Sequence, residues 1–198
     1  MDKPFAQSCE ENKTVILQQL KALLATTKHC LEIGSGTGQH AVYFSEHLPH
    51  LSWQPSELKE NIQGINLWIK ESVAINIQPP IELDVFSSSW LQDKTYDAAF
   101  TANTLHIMSI EHVEKLFSGL GQVLNKGALF ISYGPFNYNG QFSSESNARF
   151  ELWLKQQNQL SGIRDIVDLK RFAASHNIEL IDDIDMPVNN RLLVWKKQ

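Results

Sequence analysis

The stretch Leu31-Glu32-Ile33-Gly34-Ser35-Gly36-Thr37-Gly38 decides how the rest of the chain is read. An apolar run from His29 to Ile33 ends in three glycines at alternate positions, and a helical pattern starts near Thr37 or Gly38. A run of that length reads as a buried strand. Glycine allows a tight turn and close approach of the backbone to a ligand. The helix start beyond it offers free N–H groups and a partial positive charge. Two common nucleotide loops are excluded by spacing. A dinucleotide fingerprint needs G-x-G-x-x-G, but Gly38 comes one position early and Gln39 stands where that motif wants glycine. A phosphate loop needs Gly-Lys and then Ser or Thr, and neither follows.

Strand and helix patterns alternate outward from this loop. Residues 12–25 place Val15, Ile16, Leu20, Leu23 and Leu24 on one helical face. After the glycines a helix carries Ala41, Val42, Phe44 and Leu48 to a stop at Pro49. Leu51 to Gln54 reads as a strand closed by Pro55, and residues 57–75 as a helix. Ile81 to Val85 and Ala98 to Ala102 read as strands. Ser109 caps a helix that Asn125-Lys126-Gly127 ends, and Ala128 to Tyr133 follows as a strand. Residues 134–162 break the rhythm with Gly134-Pro135, Asn139-Gly140 and a Ser-rich turn before a helix from about Ser144 to Asn158. Such a departure reads as a lid or acceptor-binding insertion. Asp165 caps another helix, and Ile178–Ile184 with Leu192–Trp195 forms a hairpin across Met186–Asn190. The expectation is a single α/β domain over 1–198. Its form is a Rossmann-like three-layer αβα sandwich, with a seven-stranded mostly parallel sheet ending in a C-terminal antiparallel hairpin.

Composition narrows the class of partner. With 42% hydrophobic and 20% charged residues the chain reads as globular rather than disordered. Its 17 basic and 22 acidic residues leave a net charge of −5, which disfavours a polyanion, so no nucleic acid is expected. Cys9 and Cys30 form no C-x-x-C pair, and the four histidines His29, His40, His47 and His50 have no carboxylate completing a metal set, so no metal is expected. No apolar run approaches about 18 residues, and Met1-Asp2-Lys3-Pro4 opens no apolar leader. The expectation is a cytoplasmic protein without a membrane segment. Oligomeric state is not legible.

Several residues outside the loop carry chemistry. Glu57, at the end of the second strand, either accepts ribose hydroxyls or favours the start of the next helix as an acidic first-turn residue. His106 follows the fourth strand and titrates near neutrality, which makes it a candidate base for an acceptor O–H or N–H. Tyr133 and Tyr138 are candidates for lining an acceptor pocket. Asn189 and Asn190 are either turn formers or pocket donors and acceptors.

An acid two residues before a G-x-G-x-G loop resembles motif I of the class I S-adenosylmethionine-dependent methyltransferases. The resemblance implies that Glu32, Gly34, Ser35, Gly36 and Gly38 form the cofactor loop and that Asp84 lies near the adenine amino group. It further implies that Val85 and Phe86 flank the ring and that Asn103 stands beside the methionine moiety. Six ordered motifs sharpen the likeness: Gly34–His40, Trp53–Glu57, Tyr133–Phe136, Ser144–Ala148, Gly162–Asp165 and Met186–Asn190. Together they are similar to the family of methyltransferase-like protein 26, over essentially the whole chain. One departure is Glu11-Asn12, where that family tends to have Arg-Asn. The resemblance implies methyl transfer to a small-molecule acceptor, with S-adenosylhomocysteine as product. Two further classes stay open: a non-catalytic S-adenosylmethionine-binding sensor or complex subunit, and a nicotinamide-dependent oxidoreductase, against which the third glycine's position argues.

Overall fold

The computed structural model describes residues 2–87, 90–91 and 94–198. Along the chain, helix α1 (Gln7–Leu23) precedes strand β1 (His29–Ile33), helix α2 (Gln39–His47) and strand β2 (Ser52–Glu57). Helix α3 (Ile62–Glu71), strand β3 (Ile81–Glu82), strand β4 (Tyr96–Ala102) and helix α4 (Ile110–Val123) follow. Then come strands β5 (Leu124–Gly134) and β6 (Phe136–Asn137), helix α5 (Glu145–Gln157), strand β7 (Arg164–Asp165) and helix α6 (Ile166–Ala174). Strands β8 (Ile178–Met186) and β9 (Asn190–Lys197) close the chain. The seven-stranded sheet has the order β3-β2-β1-β4-β5-β9-β8. β1 pairs in parallel with β2 and β4, and β2 with β3, whereas β9 runs antiparallel to both β5 and β8. This is the Rossmann-like arrangement expected from the alternation of strands and helices.

Local signals place the helix starts well. Ser109, Ser144 and Asp165 each accept a backbone N–H from the first turn of α4, α5 and α6. Those bonds satisfy donors that a helix start leaves without an intrahelical partner.

Three expectations need correction. β2 does not close at Pro55 but runs through it to Glu57. Trp53 N–H donates to Asn76 O on the outer side of the strand, and two residues on, Pro55 has no N–H to offer there. β3 joins only at Ser56, so the missing donor leaves no ladder bond unmade. The strand expected over Ile81–Val85 is only Ile81–Glu82, extended by one bond from Leu83 N–H to Glu57 O. The strand expected from Ala128 starts at Leu124, directly after α4, so Asn125-Lys126-Gly127, expected to end the helix, lie within β5. The two-stranded parallel sheet of β6 and β7 was not anticipated. Two residues are too few to write a period-2 pattern.

The chain divides into two compact units, Met1–Asp84 with Tyr96–Phe100, and Val85–Thr95 with Thr101–Gln198. The first is centred on Phe44, Trp53 and Phe100, whose ring centroids lie 5.4–5.8 Å apart. In the second, Phe117 meets Phe130 and Trp195 edge-on, and the Trp195 indole N–H donates to Ser132 Oγ. Gly119 of α4 makes room for Trp90, whose ring lies 2.1 Å from where a Cβ would stand. Alanine there gains about 1 kcal/mol of helix propensity but must displace the indole. Gly119→Ala is therefore expected to destabilise by a net ~1–3 kcal/mol, read by urea denaturation; an unchanged midpoint would contradict the packing described.

Candidate functional site

Between β1 and α2 all three glycines adopt positive φ: 70° at Gly34, 54° at Gly36 and 93° at Gly38. Two of these positions call for glycine for different reasons. At Gly38, which precedes the first turn of α2, a Cβ would also lie 3.0 Å from Ile65 Cα, so the loop presses directly on α3. At Gly36 the space a Cβ would enter is open within 4 Å. Only the backbone angle excludes a side chain there, and the loop leaves room beside the peptide for a ligand.

The acids around the loop have distinct surroundings. Glu32 is buried on β1, and its Oε2 accepts from Ser35 Oγ at 2.9 Å and from the Trp53 indole N–H at 3.1 Å. Burial raises its pKa to about 7, the two hydrogen bonds oppose that rise, and the nearby Glu57 charge adds to it. Ser56 completes the bracing: its Oγ donates to Glu32 O and its N–H to Ser35 Oγ. Glu57 ends β2, and its carboxylate accepts the Gly36 and Leu58 N–H groups, both at 2.8 Å. Thus Glu57 touches the glycine loop itself. Asp84 is exposed just beyond β3.

Within the second unit, Asn103 follows β4 in a left-handed conformation at φ 57°, fixed by donation of its N–H to Tyr133 O. A Cβ on Gly134 would lie 3.7 Å from both Asn103 Oδ1 and His106 Nδ1, so the two polar atoms flank one glycine notch. His106 is 7% exposed, and its ring meets Phe150 edge-on at 5.2 Å. Burial, and then the charge of Arg164, lower its pKa to about 4. Arg164 is itself buried and donates to the carbonyls of Leu105, Met108 and Leu160. The imidazole is therefore neutral at physiological pH.

The remaining sequence candidates are placed as follows. Val85 is buried and accepts from the Trp90 indole N–H, and Phe86 is exposed with its ring edge-on to His112. Burial raises the Tyr133 pKa, and a hydrogen bond with Asn190 opposes the rise. Tyr138 donates to Asp183, whose carboxylate also holds Arg191, and burial followed by that bond raises the phenol to about 12. Asn189, at φ 58° in the hairpin turn, donates to Ser146 Oγ and accepts from Asn147 Nδ2, tying the turn to the start of α5. Among the described residues no group of three or more His, Cys, Asp or Glu is placed to hold a metal ion.

Sequence reasoning missed the supports of this site. Arg164 and Phe150 stand behind His106 from 58 and 44 positions away, a separation at which no local pattern signals contact. Gln39 stands out as a misfit to a dinucleotide motif and as part of the Gly34–His40 motif, with nothing local to signal its bonds to Ala6 and Glu10.

A sequence model of the family described as "Protein of unknown function (DUF938)" matches residues 3–197. The structure is similar to an O-methyltransferase family protein from Burkholderia thailandensis, with TM-score 0.78 and 9% identity over 96% of this chain and 59% of that one. Human N-acetylserotonin methyltransferase in complex with SAM gives TM-score 0.79 at 14% identity over 96% and 53% of the two chains. The S-adenosylmethionine-dependent methyltransferase SibL in its apo form gives 0.79 at 15% over 96% and 55%. Likenesses at such low identity establish a shared fold. The chain spans 53–59% of the length of these structures.

Proposed function

The chain belongs to the family described as "Protein of unknown function (DUF938)", and from that footing we propose that it is an S-adenosylmethionine-dependent methyltransferase acting on a small molecule. The observation that carries this reading is the contact between Glu57 and the Gly36 N–H, beside an open space over a glycine loop that opens a helix. A carboxylate there has lone pairs left for two ribose hydroxyls after receiving two N–H groups. The loop's backbone and the first turn of α2 suit the polar end of such a cofactor. Kinship with methyltransferase-like protein 26 belongs to the proposal and rests on the six ordered motifs.

In this reading Glu32, Gly34, Ser35, Gly36, Gly38, Glu57 and Asp84 hold the cofactor from the first unit. Val85, Phe86 and Asn103 are assigned to it by resemblance. Residues 134–162 serve as the acceptor-side insertion of one working domain, with Tyr133, Tyr138, Asn189 and Asn190 supporting it. No helix among the described residues is long and apolar enough to cross a membrane. A cytoplasmic setting and the absence of a nucleic-acid partner remain part of the proposal.

Bound S-adenosylmethionine supplies a methyl group on a sulfonium, already activated for in-line displacement. What the chain must add is alignment and exclusion of water. His106, neutral and half of the notch over Gly134, accepts a hydrogen bond from the acceptor O–H or N–H. With a pKa near 4 it is too weak a base to ionise a free hydroxyl. It takes the proton once the new bond to carbon makes the acceptor strongly acidic. The test is mass spectrometry for S-adenosylhomocysteine after incubating the protein with S-adenosylmethionine and a metabolite extract. Product that disappears in His106→Ala and partly returns in His106→Gln supports the assignment. Cofactor binding without product in any extract would instead identify a non-catalytic binding module.

A further inference from the structure

Gln39 is the first residue of α2, 3% exposed, and it uses both ends of its side chain. Its Oε1 accepts the Ala6 N–H at 2.6 Å and the Thr37 hydroxyl at 3.0 Å, while its Nε2 donates to Glu10 Oε1 at 2.8 Å. One amide thus joins three pieces of chain: the segment before α1, the glycine loop and the first turn of α1. The neighbouring His40 makes a second buried link, its Nε2 lying 2.7 Å from Asn12 Oδ1. The Cys9 thiol interacts with Thr37, so the first turn of α1 rests on the loop itself.

The outer end of the same segment is fastened independently. The Trp68 indole N–H donates to Pro4 O at 2.7 Å, and Lys3 lies over the Trp68 ring and pairs with Glu71. Pro4 occupies the space left by Gly64, where an added Cβ would stand 2.7 Å from Pro4 Cγ. Residues 3–6, with the first turn of α1, therefore run as a strap from α3 onto the glycine loop. The strap is held by a few hydrogen bonds and one ring contact, not by a deep apolar core: Phe5 within it is 61% exposed. Segments of that kind open at low cost, ahead of global unfolding.

We propose that Gln39 is a positioning residue that latches this strap over the glycine loop and so sets how long the cofactor stays bound. The inference rests on the reading of that loop as the S-adenosylmethionine site. It differs from a purely structural role because the strap meets the glycine loop, at the Thr37 and Gln39 side chains, rather than the core. Loosening it should release ligand faster without unfolding the protein.

Two variants separate the possibilities. Gln39→Ala removes all three latch bonds at once. Gly64→Ala leaves every latch group intact, favours α3 through helix propensity, and pushes Pro4 away. The readouts are the dissociation rate of S-adenosylhomocysteine by stopped flow, hydrogen exchange over residues 5–10, and thermal stability. The proposal expects dissociation about tenfold faster in Gln39→Ala and severalfold faster in Gly64→Ala, on the scale of a net loss of one or two hydrogen bonds. Exchange over 5–10 should rise in both variants, with no fall in Tm for Gly64→Ala. Unchanged dissociation in both variants while the wild type binds would overturn the latch alone, and so would unchanged exchange. A wild type that does not bind S-adenosylhomocysteine overturns the cofactor reading and the latch with it.

Discussion

Glu57→Ala is expected to weaken S-adenosylhomocysteine binding by about two to four orders of magnitude while leaving the protein folded. The size follows from counting acceptors. A hydrogen bond to a charged group contributes about 1.5–3 kcal/mol, and a carboxylate holding two ribose hydroxyls makes two of them, with a factor of ten for each ~1.4 kcal/mol. The substitution also frees the Gly36 N–H, which Glu57 holds at 2.8 Å, so the loop itself loses a support. Glu57→Gln keeps one acceptor oxygen and loses the charge, and should cost about tenfold. Calorimetric titration of the three proteins checks this order. Equal affinities would mean that Glu57 serves only to brace the loop.

A second large effect concerns acid. His40 and His106 both have pKa values lowered to about 4 by burial, against 6.5 for an ordinary histidine, and Arg164 adds to the effect at His106. Between those values the unfolded chain binds protons that the folded chain refuses. Stability is therefore full above about pH 6.5 and is lost as pH falls toward 4, by up to ~3 kcal/mol for each histidine. Glu32 works in the opposite sense. Its pKa is raised to about 7, so the folded chain keeps a proton the unfolded one releases; this contribution is complete below the ordinary 4.5 and is lost as pH rises through 7. Two histidines outweigh one glutamate, so the combined profile rises from about pH 4.5 toward neutrality and changes little above it. Urea denaturation across pH 4.5 to 8 reads it directly. Replacing His40, stacked on Phe44 at 5.1 Å, by phenylalanine should flatten the acid limb. A profile level from pH 5 to 6.5 in the wild type would contradict the buried, neutral state of both rings.

What the sequence made legible was what is local. The glycine spacing places the loop, its three positive φ values and the helix behind it, and Ser109, Ser144 and Asp165 mark helix starts through bonds spanning two or three residues. The hairpin of β8 and β9 was also visible, because its two strands adjoin in sequence. Pro55 misled because strand propensity penalises a missing donor without knowing which side of the strand has a partner. The site's supports were out of reach for a related reason. Ser56 and Trp53 brace Glu32 from a neighbouring strand, and Arg164 adds to the burial that lowers the His106 pKa from 58 positions further along the chain. Such contacts exist only once the chain is folded. Gln39 illustrates the same limit: as a letter it broke a dinucleotide motif, and as a side chain it joins three segments.

The first unit's glycine loop is proposed to bind S-adenosylmethionine and no dinucleotide. Parallel calorimetric titrations of the purified protein with S-adenosylhomocysteine and with NADH test it most directly. The expected result is a single saturable site for S-adenosylhomocysteine, lost in Glu57→Ala, and no heat of binding with NADH. Saturable NADH binding, or no binding of S-adenosylhomocysteine by the folded protein, would contradict it.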